Sequence, residues 1–194
     1  MQETGTRINK YMSQCGYCSR READRLIEKG EVWINGTLAT MGTKVMPGDT
    51  VMVHHTTITP CQKEYLLAFH KPAGIVCTTS KIDKNNVIDY LNFPDRIYPV
   101  GRLDKESTGL LLLTNNGQLM DDILRGSNYH EKEYIVHVNK PITDSVLQAM
   151  AQGVPILDTI TRPCKIRRMG KDCFYITLTQ GLNRQIRRMC EYFD

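Results

Sequence analysis

No apolar run in these 194 residues approaches the ~20 that a membrane-crossing helix needs, so no such span is expected. The first residues, Met1-Gln2-Glu3-Thr4-Gly5, are too polar to read as a signal peptide. A regular cysteine framework is missing too. The seven cysteines are an odd number without even spacing, which argues against a secreted disulfide scaffold and for a cytosolic chain with free thiols. A glycine-rich phosphate loop is absent, so nucleotide hydrolysis finds no support. Cys15-x-x-Cys18 has neither a second pair nor a ligand spacing that would complete a tetrahedral site. The five histidines are scattered, and His54-His55, read as strand, would point to opposite faces. No metal centre is expected. Internal repeats and low-complexity stretches are lacking as well.

What is present is ordinary in bulk and uneven in distribution. Apolar residues at 41% and charged residues at 24% suit a globular chain, and the length allows one or two domains. Residues 1–30 carry six Lys/Arg against four Asp/Glu, and residues 160–194 carry eight against three. The middle, 31–159, has eleven against fourteen and is net negative. Cationic ends around an acidic middle suit a polyanion gripped at two places, with nucleic acid the leading partner.

The first segment, residues 6–53, reads as a compact module. Ile8, Tyr11, Met12 and Cys15 recur at helical spacing. Ser19-Arg20-Arg21-Glu22 has the pattern of a capping box, opening a second helix that buries Ala23, Leu26 and Ile27 and stops near Gly30. Val32 and Ile34 begin a strand, Asn35-Gly36 signals a two-residue hairpin, and Val45 to Val53 closes the unit around a Pro47-Gly48-Asp49 turn. Arg7, Lys10, Arg20, Arg21 and Arg25 sit on or beside the two helices, off the core faces, where guanidinium groups and helix starts can meet phosphate. Three stretches here, Arg7 to Tyr11, Cys18 to Asp24 and Gly30 to Gly36, resemble an S4 domain. That resemblance implies binding of structured RNA through these five cations.

Residues 54–64 read as a linker, or as a closing strand followed by one. From Tyr65 a new pattern begins. Strands are expected over 65–69, 75–79, 110–114, 133–138, 164–168 and 173–179. Helices are expected over Val87 to Asn92, over 118–125, from an N-cap at Thr143 to about Gln152, and from a cap-capable Asn183 onward. Strands with interspersed helices, tight turns and no βαβ regularity argue for an α+β fold with a largely antiparallel sheet.

Three stretches of this second segment, 65–194, carry chemistry. Gly101-Arg102-Leu103-Asp104-Lys105-Glu106-Ser107-Thr108-Gly109 sets one carboxylate between Arg102 and Lys105 in a glycine-bounded loop at the mouth of a strand. Such an Asp suits a fixed anion beside a polyanionic substrate. Lys132-Glu133-Tyr134 opens a strand. Gly181 to Met189 places Arg184, Arg187 and Arg188 at i, i+3 and i+4, hence on one helix face, with Ile186 and Met189 on another. Guanidinium groups so close need anions nearby, which a carboxylate and RNA phosphate would supply.

Together these stretches resemble the pseudouridine synthases that act on ribosomal RNA and carry an N-terminal S4 domain. Type A of this branch acts on small-subunit RNA, and types B, E and F act on large-subunit RNA. Gly101 to Asp104 with Ser107 to Leu110 resembles its catalytic loop, Glu131 to Tyr134 its tyrosine motif and Gly181 to Arg187 its third motif. His130 to Tyr134, with Lys140-Pro141-Ile142-Thr143, is most similar to the F type. The resemblance implies that Asp104 is the catalytic carboxylate, attacking C1′ of the ribose or removing a proton from C2′. It implies Arg187 as the cationic partner, since a lone buried carboxylate is disfavoured by several kcal/mol. Tyr134 would stack on the uracil, and Leu182 or Ile186 would floor the pocket. Arg102, Lys105, Lys132, Arg184 and Arg188 complete the expected substrate contacts.

Isomerisation without net redox change or hydrolysis needs no cofactor and no metal. The implied substrate is a flipped uridine in a stem-loop of large-subunit ribosomal RNA, with a transfer-RNA anticodon as second target and small-subunit RNA the runner-up. A monomer is expected. Synthases of this family continue with another strand and a short helical segment beyond the position of Asp194, so the chain is expected to be truncated relative to them. An RNA-binding protein without catalysis is the alternative reading.

Overall fold

The computed structural model describes residues 5–80 and 82–194; the reading of Met1 to Thr4 lies outside the described residues. The chain forms two compact units that part between Met120 and Asp121. Every strand ladder among the described residues is antiparallel. Six α-helices accompany the strands among the described residues, and the α+β expectation holds.

The first unit begins with β1 (Thr6–Arg7), α1 (Ile8–Gln14) and α2 (Arg20–Glu28). Ser19 caps α2, accepting from the Glu22 amide at 3.1 Å. Only half of the capping box forms, because the Glu22 carboxylate turns to the Arg25 guanidinium at 3.1 Å. Gly30, at φ +73°, ends the helix, with Glu31 N–H closing on the Leu26 carbonyl. Next come β2 (Val32–Ile34), β3 (Thr37–Leu38), β4 (Lys44–Val45), β5 (Val51–Val53) and β6 (Thr56–Ile58), with β3-β2-β5-β6 forming one sheet. Asn35-Gly36 turns the β2–β3 hairpin with both residues at positive φ. The expected strand character of His54-His55 is wrong. These two residues make the β5–β6 turn at φ +45° and +65°, His55 stacking on Trp33 and His54 reaching Glu31. Ile8, Met12, Ala23, Leu26, Ile27, Val32, Val51, Val53 and Ile58 close a core of their own. Strand β6 therefore belongs to this module rather than to a linker.

Beyond it lie β7 (Leu66–Lys71), α3 (Val87–Leu91), β8 (Tyr98–Val100), β9 (Gly109–Thr114) and α4 (Gly117–Leu124). The sheet order is β7-β9-β8. Strand β7 alternates: Leu67 and Phe69 pack on the core of Leu111, Leu113, Val87 and Ile97, while Leu66 faces out. No strand forms over 75–79. The Val76 amide donates to the Asn85 carbonyl and its carbonyl accepts from Val87, leaving one isolated bridge to Asn86. The start of α3, capped by the Asn86 side chain, has taken the partners a strand would need.

The second unit holds β10 (Lys132–His137), α5 (Asp144–Gln152), β11 (Pro155–Ile156), β12 (Thr159–Ile160), β13 (Lys165–Arg168), β14 (Cys173–Leu178) and α6 (Gln185–Phe193). Thr143 caps α5 as expected. The β10-β14-β13 sheet packs one face on Leu147, Met150 and Met189 around Phe174, Ile176 and Leu178. The β11–β12 hairpin has no counterpart in the sequence reading.

Candidate active site

Strands β8 and β9 are neighbours, Val100 opposite Leu112, and the Asp104 loop is the excursion between them. Gly101 and Gly109 bound it at φ +84° and +128°, backbone that side-chain-bearing residues rarely adopt. Inside, the Ser107 amide donates to the Asp104 carbonyl at 3.0 Å, and the Leu103 amide points at the Cys77 sulfur at 3.4 Å. The Gly74 amide donates to the Lys105 carbonyl at 2.9 Å. Asp104 is half-buried, while Arg102 and Lys105 on either side of it are exposed.

The strongest tie on this loop comes from a residue that sequence reasoning missed. Lys71, at the end of β7, is fully buried. Its ammonium donates to the carbonyls of Pro72 at 2.7 Å, Lys105 at 3.0 Å and Ser107 at 2.8 Å. Three N–H bonds meet three acceptors, so the charge is solvated entirely by backbone. The signal was legible: Leu67, Phe69 and Lys71 alternate, which carries the lysine onto the core face. The expected strand, 65–69, stops two residues short of it. The loop holding Asp104 is thus tied at Leu103, Asp104, Lys105 and Ser107.

In the second unit Tyr134 lies on β10 opposite Ile176, its side chain packed against the core that also holds Leu182 and Ile186. Lys132 occupies the same face at the strand's start, opposite Leu178. The helix that follows starts later than expected. Asn183 does not cap it. Arg184 does, in the left-handed conformation at φ +50° and without a side-chain hydrogen bond. Gln185 supplies the missing tie, its buried amide oxygen accepting from Leu182 N–H at 3.0 Å. Arg184 therefore stands ahead of the helix and does not share the face of Arg187 and Arg188. The guanidinium of Arg188 folds back on the Asn183 carbonyl at 3.1 Å, while Arg187 is exposed. Asp104 belongs to the first unit, Tyr134 and Arg187 to the second.

Of the five cations expected to meet RNA on the first module, Arg7, Arg20, Arg21 and Arg25 are exposed and Lys10 is half-buried. Arg25 spends part of its charge on Glu22. Cys15 and Cys18 pack at the module's core, where burial pushes the Cys15 thiol up to about 11 and the Cys18 thiol in the same direction. Among the described residues no group of three His, Cys, Asp or Glu is placed to hold a metal ion, and no helix is long and apolar enough to cross a membrane.

Comparison with known proteins fits this layout. The family model described as RNA pseudouridylate synthase matches residues 65–192, and that of the S4 domain matches residues 6–51. The chain is 54% identical over 193 residues to the dual-specificity RNA pseudouridine synthase RluF of Salmonella typhi, covering 98% of this chain and 67% of that protein. It is 33% identical to the ribosomal large subunit pseudouridine synthase B of Bacillus subtilis (strain 168), covering 95% and 79%. A crystal structure of a pseudouridylate synthase superposes with a TM-score of 0.65 at 26% identity, over 96% of this chain and 82% of that one. With both segments matched in order, the chain belongs to the RNA pseudouridine synthase family, in the branch that carries an S4 domain ahead of its catalytic segment.

Proposed function

We propose that this chain isomerises one uridine in a stem-loop of large-subunit ribosomal RNA, with a transfer-RNA anticodon uridine as a second target. The names of the relatives support this: one acts with dual specificity on RNA, another on the large ribosomal subunit. The S4-matched module, closed by β6, grips the RNA through Arg7, Lys10, Arg20, Arg21 and Arg25, the stretch after β6 connects, and residues 65–194 carry the chemistry. The protein works as a monomer in the cytoplasm, a reducing compartment that suits seven free thiols.

The observation that carries the proposal is the pinned Asp104 loop, an acid held by backbone ties and a buried lysine rather than by a flexible stem. The uridine leaves its stack at a cost of a few kcal/mol, least in a loop. Asp104 acts on the ribose, at C1′ as nucleophile or at C2′ as base, and the N1–C1′ bond breaks. The uracil turns over while stacked on Tyr134, above a floor of Leu182 and Ile186. A bond then forms from C5 to C1′ as the Asp104–C1′ bond breaks, or, on the other route, as the C2′ proton is returned; the C5 proton passes through the Tyr134 hydroxyl, and N1 ends protonated. The family resemblance assigns Arg187 as the cation that serves this chemistry. Arg102, Lys105, Lys132, Arg184 and Arg188 hold the flanking phosphates.

The test is turnover on an unmodified large-subunit transcript. Asp104→Asn should lower pseudouridine formation by roughly 10³-fold or more while RNA affinity stays within a few-fold. Normal turnover by that variant would overturn the assignment.

A further inference from the structure

Within the first unit, the S4-matched segment and the segment bearing Asp104 meet along a polar seam. Tyr98 opens β8, which runs directly into Gly101 and the catalytic loop. Its hydroxyl lies 3.1 Å from the Ser13 hydroxyl and donates to the Ser13 carbonyl at 3.2 Å. The Arg96 guanidinium lies 5.3 Å from the centre of the Tyr98 ring. Gly16 lies beside Arg96: a Cβ there would stand 3.9 Å from the Arg96 Cβ, an ordinary contact distance. The Cys61 amide, in the connecting segment, donates to the Gln14 carbonyl at 3.3 Å. The contacts at Ser13, Gln14 and Gly16 fall on the last turn of α1 or just past it. Lys10 lies one turn earlier on the same side.

A module on a loose tether makes no such set of contacts. We propose that Tyr98 is a specificity-determining positioning residue, seating the S4 module on the strand that delivers Asp104 so that the enzyme measures a fixed span along its RNA. The inference rests on the reading that the S4-matched segment grips RNA. Strand β8 joins the docked helix end to the loop bearing Asp104, while Lys71 holds that loop independently, so losing the seam frees the module and leaves the loop in place. Two linked binding events reinforce each other most when the linkage matches the distance between their sites. Docking turns the S4 module into a ruler. The favoured substrate is a structured RNA whose helical S4 target stands at one set distance from the loop bearing the uridine. A short hairpin that lacks the helical element gains nothing from the ruler.

Tyr98→Phe keeps the ring and removes both hydroxyl contacts, and Tyr98→Ala also removes the ring beside Arg96. Each is compared with the wild type on an unmodified large-subunit transcript and on a short hairpin cut around its target uridine. Both variants should lose about tenfold in kcat/KM on the transcript through KM, with kcat held and hairpin turnover unchanged. X-ray scattering of RNA-free Tyr98→Ala should show a longer maximum dimension than the wild type. Transcript kinetics within twofold of wild type for both variants, or equal losses on the two RNAs, would overturn the ruler. Unchanged scattering would overturn the docking. If wild-type protein modifies neither RNA, the substrate assignment has failed, and the scattering alone decides the docking.

Discussion

Lys71 shows how one buried residue can hold the candidate catalytic loop through its backbone. Removing an ammonium from water costs several kcal/mol, which here is offset by the three carbonyls it solvates. Two of those carbonyls belong to the loop that presents Asp104. Lys71→Met has about the same length and no donors, so three buried acceptors lose their partner. At ~1–3 kcal/mol per orphaned group, partly relieved by water, the expected loss of stability is about 3–5 kcal/mol. A urea or guanidinium denaturation midpoint measures it directly, and a loss under 1 kcal/mol would show that the loop is held by other ties. The period-2 pattern of β7 contained this lysine's burial, but not its partners. Two of the three lie 34 and 36 positions away, in a loop whose backbone course no local signal gives. The same holds for the Tyr98–Ser13 contact, 85 positions apart.

At the scale of the element, legibility followed turn and cap chemistry. Ser19, Thr143 and the Asn35-Gly36 hairpin could be read in advance because each side chain, or its lack, favours one local geometry. Failures came where tertiary structure imposes the same geometry on unsuitable residues. The β11–β12 hairpin turns at Leu157-Asp158, with φ +49° and +57° and a partly exposed leucine in the left-handed region. His54-His55 does likewise. Helix α6 hid its start for a related reason: Asn183 looks like a cap, but the buried Gln185 makes the closing bond and Arg184 takes the strained backbone. The hairpin offers a test of this account. Replacing Leu157-Asp158 by Asn-Gly supplies the residues that such a turn favours and should stabilise the protein by roughly 0.5–1 kcal/mol, seen as a higher urea midpoint. A lower midpoint would mean that the Leu157 side chain contributes packing that outweighs the relief of strain.

For the whole molecule, charge distribution pointed to a polyanion before any fold was known, and the motifs narrowed it to RNA. The boundary between the two compact units, after Met120, was not legible, because it follows contact density rather than composition. The position of individual cations sharpens the charge argument. Arg20 and Arg21 begin α2 with their side chains exposed, where guanidinium groups and the helix N-terminus both favour phosphate. Arg25, one turn on, is paired with Glu22 and must give up that contact to take another. Each phosphate contact contributes about 0.7 to 0.9 to the slope of log affinity against log salt. Removing both Arg20 and Arg21 by alanine substitution should therefore flatten that slope by about 1.4–1.8, with kcat at saturating RNA within twofold of wild type. Arg25→Ala should flatten it by less than half as much as the average of the other two. Equal effects from all three arginines would show that the Glu22 pair does not compete with RNA. An unchanged slope in the double variant would place the polyanion on another face of the module.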